Sequence, residues 1–132
     1  MPGAKLLGAL LAACCTTSVL ADSVVCHLTY GGATQQIETR PTASAYTVKP
    51  VAIGSYFLFR VVFRDQPADL AGIKLYTYAN HDEGPAILHQ ASYPYPLDNA
   101  TSGGFTGENR IYEPLRDGEL LYWCELKRGA EK

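Results

Sequence analysis

Two cysteines, Cys26 and Cys124, lie near the two ends of the region whose composition is that of a folded domain. A bond between them would close a loop of 98 residue steps, from position 26 to position 124. Closing so long a loop restricts the unfolded chain and stabilises a fold by about 2 to 5 kcal/mol. The alternatives are two buried free thiols or a zinc site, but neither cysteine has the CxxC or HxxxH spacing of a zinc site. We predict a disulfide, which requires an oxidising compartment.

The first 21 residues have the order of segments found in an export signal. Lys5 is the only charge before Asp22, residues 6–15 are apolar, and residues 16–18 carry hydroxyl groups. The apolar run is about half the roughly 20 residues that a membrane-spanning helix needs. We therefore predict a signal peptide over residues 1–21, which supplies the oxidising compartment that the disulfide requires.

Two cleavage sites compete within this signal. Residues 19–21, Val-Leu-Ala, suit a signal peptidase and predict a soluble periplasmic or secreted domain, residues 22–132. Residues 11–14, Leu-Ala-Ala-Cys, resemble the bacterial lipobox. That alternative predicts a signal of residues 1–13 and a lipid on Cys14, so that the protein would contact a membrane through its anchor. Both alternatives indicate a bacterial envelope protein.

The mature region has the size of one domain, because 111 of the 132 residues remain once residues 1–21 are removed. The removed segment contains one of the 11 basic residues and none of the 13 acidic residues, so the net charge goes from −2 to −3. No run of like charge occurs. Nucleic acid and anionic lipid headgroups both require a basic surface, so we expect neither as a partner.

The apolar pattern of the mature region is that of β-strands, since no period of 3.6 persists for ten residues. Alternation predicts extended segments at 23–30, 35–40, 46–53, 54–64, 72–79, 86–93, 110–116 and 119–127. One face of the strongest strand, residues 54–64, carries Phe57, Phe59, Val61 and Phe63. We predict an all-β fold: a single antiparallel β-sandwich or small β-barrel of seven or eight strands, closed by the terminal disulfide.

Turn residues separate these segments. Residues 80–85 are predicted to be a loop, and residues 93–109 a long surface loop, because the latter contain prolines and glycines without periodicity. Asp117-Gly118 predicts a two-residue hairpin turn before the last strand. Pro50 cannot donate to a strand ladder, so residues 46–53 are expected at an edge or a bend.

Two short stretches resemble parts of known families. Residues 117–124 resemble the tyrosine corner of immunoglobulin domains, with Tyr122 two places before Cys124. They differ in that Trp123 stands beside the second cysteine, so the resemblance implies a sandwich architecture and no membership of that family. Residues 100–104, Ala-Thr-Ser-Gly-Gly, resemble the Ser-Gly loop of small periplasmic lysozyme inhibitors. That resemblance implies a further alternative, an inhibitor-like envelope lipoprotein.

The densest cluster of polar residues, at 78–85 with His89 shortly after it, suggests a metal site. Imidazole and carboxylate together suit zinc or copper(II). The candidate ligands are His81, Asp82, Glu83, His89 and, if the topology allows, His27. The competing interpretation is a solvated turn, because asparagine, aspartate, glutamate and glycine are what such turns use. A copper(I) site is disfavoured, since the only methionine is Met1.

No catalytic motif occurs in the chain: the sequence contains neither a GxSxG elbow nor HExxH, and we predict no catalytic residue. The aromatic residues favour binding instead, because tyrosine combines an apolar face with a hydroxyl group. The candidates are Tyr93, Tyr95 and Phe105 of the long loop, and Tyr78 beside the shorter one. The competing interpretation is that these rings cover the core. We expect a non-enzymatic module that binds a protein or glycan of the cell envelope.

Overall fold

The computed structural model describes residues 21–97 and 103–129, together with Gly3, Gly8, Ala12 and Ala13. Cys14 and residues 98–102 of the predicted long loop lie outside the described residues. Eight strands form: β1 Ser23–Tyr30, β2 Ala33–Thr39, β3 Val51–Ile53, β4 Phe57–Arg64, β5 Gly72–His81, β6 Gly84–Pro94, β7 Asn109–Glu113 and β8 Gly118–Lys127. A short 3₁₀ helix, Ala45–Thr47, precedes β3.

The strands form two antiparallel four-stranded sheets that pack as a sandwich. Sheet A has the order β2-β1-β8-β7, and sheet B has the order β3-β4-β5-β6. The first and last strands are therefore the central pair of sheet A. The prediction of an all-β antiparallel sandwich is confirmed, and within the described residues no helix is long and apolar enough to cross a membrane.

The core lies between the sheets and follows the predicted alternation. Phe57, Phe59 and Phe63 of β4 are all buried, and the opposing face of sheet A contributes Tyr122 and Leu28. Burying one such side chain stabilises a fold by about 1.5 to 3 kcal/mol. β4 is therefore the centre of the core, as the sequence predicts.

The predicted disulfide is confirmed. Cys26 of β1 and Cys124 of β8 face each other directly in the strand register, their Cα atoms are 4.0 Å apart, and both residues are buried in the core. The bond therefore joins two neighbouring strands of sheet A at its centre.

Two turn predictions are wrong in extent. β5 continues to His81 and β6 begins at Gly84, so the predicted loop of residues 80–85 is a tight turn at Asp82 and Glu83. The last hairpin pairs Glu113 with Gly118, so its loop has four residues instead of two, with Asp117 in the left-handed region at φ 57°. Turn residues can be recognised in the sequence, but they do not reveal at which residue the pairing between the two strands ends.

The segment before β7 lies along β8 beside the disulfide. The Phe105 N–H donates to the Cys124 carbonyl at 3.1 Å, and the Thr106 hydroxyl accepts from the Cys124 N–H at 2.9 Å. Gly104 approaches the same carbonyl so closely that a Cβ would collide with it. The glycine-rich stretch therefore has a structural role in its described part.

We expect Gly104→Ala to destabilise the protein by about 2 kcal/mol. Gly107 is the matched control, because both glycines have φ +67° but a Cβ at Gly107 would meet nothing within 4 Å. Gly107→Ala should therefore cost only the left-handed backbone strain, about 1 kcal/mol. Urea unfolding of the two variants measures the difference, and equal losses would show that the contact with Cys124 is unimportant.

Candidate binding groove on the outer face of sheet B

The outer face of sheet B presents side chains in rows that the strand register defines. One row crosses Val62, Lys74 and Ser92, and the next crosses Arg60, Tyr76 and Gln90. Because alternate residues of a strand point to opposite faces, these side chains turn away from the phenylalanines of the core. The outer face is therefore polar and aromatic at its centre.

A groove of about 370 Å³ lies on this face. Val62, Lys74, Tyr76 and Ser92 form its floor, with Ala45 of the 3₁₀ helix and Leu70 of the β4–β5 loop beside them. Arg60 holds the flanking helix in place, because its guanidinium donates to the carbonyls of Ala45, at 2.5 Å, and Val48, at 2.9 Å. The groove thus lies between sheet B and the 3₁₀ helix that Arg60 holds against it.

Two cationic side chains, Arg64 and Lys74, line the groove, and Asp65 and Asp69 lie in the adjoining β4–β5 loop. The four strands of sheet B contain three cationic residues, Arg60, Arg64 and Lys74, and no aspartate or glutamate. None of the three cations forms an ion pair with a described residue. Nε of Arg64 is buried and has no hydrogen-bond partner among the described residues. Arg64 and Lys74 therefore line the groove without an ion pair among the described residues, and Arg64 also donates from Nη2 to the Ala43 carbonyl at 3.2 Å.

Aromatic rings lie beside these cations. The rings of Tyr76 and Tyr78 stack with centroids 6.3 Å apart and planes within 16°. The Arg60 guanidinium lies 5.2 Å from the centroid of the Tyr76 ring. This arrangement provides a flat surface against which a sugar ring or an apolar side chain can pack.

Three large apolar or aromatic side chains are exposed on or beside this face of the protein. Tyr46, Leu70 and Ile87 have exposed fractions of 98%, 54% and 56%. Tyr46 belongs to the flanking 3₁₀ helix, Leu70 lines the groove, and Ile87 lies in the row of Tyr78. Exposed apolar side chains near the two cations could contact the apolar part of a ligand that also carries acidic groups.

The predicted aromatic ligand-binding residues separate into two groups. Tyr78 lies on the outer face of sheet B, as described above. The others pack against the core: Tyr93 and Phe105 meet edge to face with centroids 5.1 Å apart, and Tyr95 packs against Phe63 at 4.8 Å. Of these three, only Tyr93 also lines the groove.

Tyr95 is bound on its polar side as well. Its hydroxyl donates to Asp22 Oδ2 at 2.6 Å, and the Gly129 N–H donates to the other carboxylate oxygen at 2.7 Å. Burial, together with this bond to Asp22, raises the pKa of Tyr95 to about 12. Burial also raises the pKa of Tyr93. Tyr95 therefore ties the end of β6 to both ends of the domain.

The predicted metal ligands do not come together. His27 lies on the outer face of sheet A, where it stacks on Trp123 at 4.0 Å and lies 2.8 Å from Glu125. His89 lies between the sheets, with Nδ1 3.3 Å from the Tyr122 hydroxyl. In the part of the chain that is described, no three His, Cys, Asp or Glu side chains are grouped so that they could hold a metal ion.

His81 contacts a carboxylate that sequence analysis did not single out. Its Nε2 lies 2.9 Å from Glu113, a fully buried residue of β7, whose second oxygen accepts from the Arg116 N–H at 2.8 Å. Arg116 in turn stacks on the Tyr56 ring at 4.2 Å. These contacts join β5, β7 and the two loops at one end of the sandwich. Asp82 and Glu83, the two residues predicted to bind a metal together with His81, are exposed at the turn.

Sequence analysis also missed Arg64, Lys74 and Ser92 as groove residues, and Arg60 as the residue that holds the flanking helix. The signal was present, because alternation places Arg60 and Arg64 on one face of β4, and Lys74 and Tyr76 on one face of β5. The pairing of these two strands brings the two faces together. Comparisons with family models, curated proteins and solved structures find no match to this chain.

Proposed function

We propose that this protein is a non-enzymatic binding module that holds an anionic protein or glycan in the groove of sheet B. One observation carries the proposal: the four strands of sheet B contain three cations and no carboxylate, although the whole chain has a net charge of −2. The strands of sheet B thus carry no acidic side chain, and the nearest carboxylates in the sequence, Asp65 and Asp69, belong to the β4–β5 loop. Such a charge arrangement steers an anionic ligand to that face and selects against cationic ligands.

The chemistry of the groove supports binding in preference to catalysis. Unpaired guanidinium and ammonium groups bind carboxylates or sulfates, and the Tyr76–Tyr78 stack supplies a surface for the apolar part of the same ligand. Among the described residues that line the groove there is no histidine, cysteine or carboxylate that could activate Ser92 as a nucleophile.

The proposed location is the bacterial envelope. A disulfide at the centre of sheet A supports an oxidising compartment, and the signal peptide predicted over residues 1–21 would supply the route. The mature protein is proposed to be periplasmic or secreted, or anchored through Cys14 if the lipobox is used.

Neutralising the groove is expected to weaken anion binding about tenfold, because two unpaired charges are lost. The variant is Lys74→Gln with Arg64→Gln, and the probes are poly-L-glutamate and polygalacturonate, each compared with neutral dextran by calorimetry. The unmodified protein should bind the two polyanions and not dextran, and added salt should weaken the binding.

Arg110→Gln is the control, because Arg110 is an exposed cation on sheet A that already pairs with Glu119 at 2.8 Å. It should leave the affinity unchanged. Equal affinity for dextran and the polyanions would exclude the proposed function. An equal loss of polyanion affinity in Arg110→Gln and in the groove variant, Lys74→Gln with Arg64→Gln, would exclude it as well.

A further inference from the structure

β6 is a long edge strand with an unusual composition. It spans eleven residues at the end of sheet B, and His89 is its only ionisable residue apart from Tyr93. The other edge strands are short or charged: β3 has three residues, while β2 contains Glu38, and β7 contains Arg110 and Glu113. Charges, shortness, prolines and bulges are the usual protections of an edge against further pairing; β6 has prolines near its two ends and a register shift next to His89, but it is long and carries no charge between the prolines.

The direction of the backbone groups of β6 follows from one hydrogen bond. The Asn80 N–H donates to the Tyr56 carbonyl at 2.8 Å, so the even-numbered residues of β5 direct their backbone groups to β4. The odd-numbered residues of β5 then face β6. Thr77, Leu75 and Ile73 pair with His89, Ala91 and Tyr93. The backbone N–H and C=O groups of Gln90 and Ser92 therefore point to the free edge.

The two prolines of β6 agree with this assignment. Pro94 follows Ser92 by two residues and is also directed outward, so its missing N–H removes no bond to β5. The register shifts between Thr77 and Tyr78, after which Ala86 faces Ala79 and Pro85 is directed outward. Both prolines therefore stand where they block edge pairing at the two ends of the strand. They leave the outward N–H groups between them available.

These outward groups have no partner among the described residues, since no backbone hydrogen bond joins the free edge of β6 to another described segment. They stand at the spacing of a strand ladder. A second polypeptide in an extended conformation supplies donors and acceptors at the same spacing, whereas a glycan does not.

The side chains next to this edge indicate the charge of the partner. Lys74 and Ser92 share a row on the outer face, so a residue of an added strand would continue that row beyond Ser92. The backbone of β5 at Lys74 and the backbone of the added strand would be two strand spacings apart, about 9.6 Å, which a lysine and a glutamate side chain span together. Serine is small enough to leave that path open. Ile87, more than half exposed in the row of Tyr78, offers an apolar contact near the other end.

From this arrangement we infer that the Ile87–Ser92 edge of β6 binds an extended acidic segment of a partner protein as an added strand. The inference rests on the proposed function and narrows its ligand to a polypeptide. Acidic side chains of the added strand lie on the outer face and pair with Lys74, while alternate apolar side chains turn to the other face. A second copy of this chain is a poorer match, because β6 carries no carboxylate to pair with Lys74.

A random dodecapeptide library displayed on phage is the probe, selected on the full-length mature protein. The selected peptides are expected to alternate acidic with β-branched or aromatic residues. Ser92→Pro removes one outward N–H without removing a bond to β5, and Ser92→Ala keeps that N–H. The selected peptides should bind Ser92→Pro at least tenfold more weakly and Ser92→Ala within about threefold of the unmodified protein.

Hydrogen exchange of the unmodified protein gives a second measurement that does not depend on the proline variant folding. The amide protons of Gln90 and Ser92 should exchange more slowly when a selected peptide is bound. Strand addition is excluded if no peptide is enriched, if the enriched peptides have no acidic excess over the input library, or if these amides gain no protection. A dimer that Ser92→Pro converts to a monomer would assign the edge to a second copy instead and overturn the inference.

The groove variant separates this inference from the proposed function. Polyanion binding that is lost in Lys74→Gln with Arg64→Gln, together with binding of the selected peptides that is retained in Ser92→Pro, would leave the proposed function standing and exclude strand addition. Binding that neither variant weakens would exclude both.

Discussion

Glu113→Ala is expected to lower the melting temperature by roughly 15 °C, because it breaks a buried charged cluster and leaves its partners unpaired. The Glu113 side chain is fully buried, and its two carboxylate oxygens contact His81 Nε2 at 2.9 Å and the Arg116 N–H at 2.8 Å. Alanine leaves a donor without an acceptor and opens a cavity at the end of the sandwich. Thermal unfolding followed by circular dichroism measures the loss.

Glu119→Gln is the matched control for this prediction. Glu119 lies in the same hairpin and also contacts an arginine, Arg110, at 2.8 Å, but both side chains are about half exposed or more. An exposed pair of this kind stabilises a protein by about 0 to 1 kcal/mol. A melting temperature of Glu113→Ala close to that of Glu119→Gln would show that the buried cluster does not hold the two sheets together.

The same carboxylate makes stability depend on pH. The hydrogen bond from His81 holds the pKa of Glu113 below its usual value of 4.5, and the Tyr95 hydroxyl likewise lowers the pKa of Asp22 below 3.8. A lowered folded-state pKa means that the unfolded chain binds protons more readily. The stabilisation is therefore complete above the unfolded pKa and is lost as the pH falls through the folded one. Glu113→Gln should melt at a lower temperature at pH 7 and show a shallower decline in acid.

The strands could be predicted from the sequence because alternation is a local property of the chain. Residues 23–30 are predicted and observed as β1 with the same bounds, and the face of Phe57, Phe59 and Phe63 is buried as expected. The predicted loop of residues 80–85 is longer than the observed turn at Asp82 and Glu83, because polar residues also occur in the paired, exposed end of a hairpin. Alternation thus predicts faces better than it predicts ends.

The candidate site could not be predicted in the same way, because it depends on which strands pair. Tyr93 and Tyr95 look like loop residues in the sequence, but Tyr93 belongs to β6 and both rings pack against the core. His81 contacts Glu113, which is 32 residues away in the chain. The cationic face requires the register that places Arg60 opposite Tyr76. Such contacts between distant residues have no local signature.

The Cys26–Cys124 bond is expected to stabilise the protein by about 2 to 5 kcal/mol, which corresponds to about 1 to 3 M in the urea midpoint for a slope of about 1.5 kcal/mol per M. The reason lies in the topology. β1 and β8 are neighbours at the centre of sheet A although they are the first and last strands, so their pairing closes a loop of 98 residues. Without the bond, the unfolded chain gains the entropy of that open loop.

Reduction and substitution separate the cross-link from the packing of the sulfur atoms. The reduced protein keeps both sulfurs at the buried positions, whereas Cys26→Ala with Cys124→Ala also removes their volume from the core. We expect the reduced protein to unfold at clearly lower urea than the oxidised one, and the double alanine variant at lower urea still. Equal midpoints for the oxidised and reduced proteins would mean that contacts across sheet A, and not the covalent bond, hold β1 against β8. In that case the disulfide would add nothing to the rigidity of the scaffold that carries the groove.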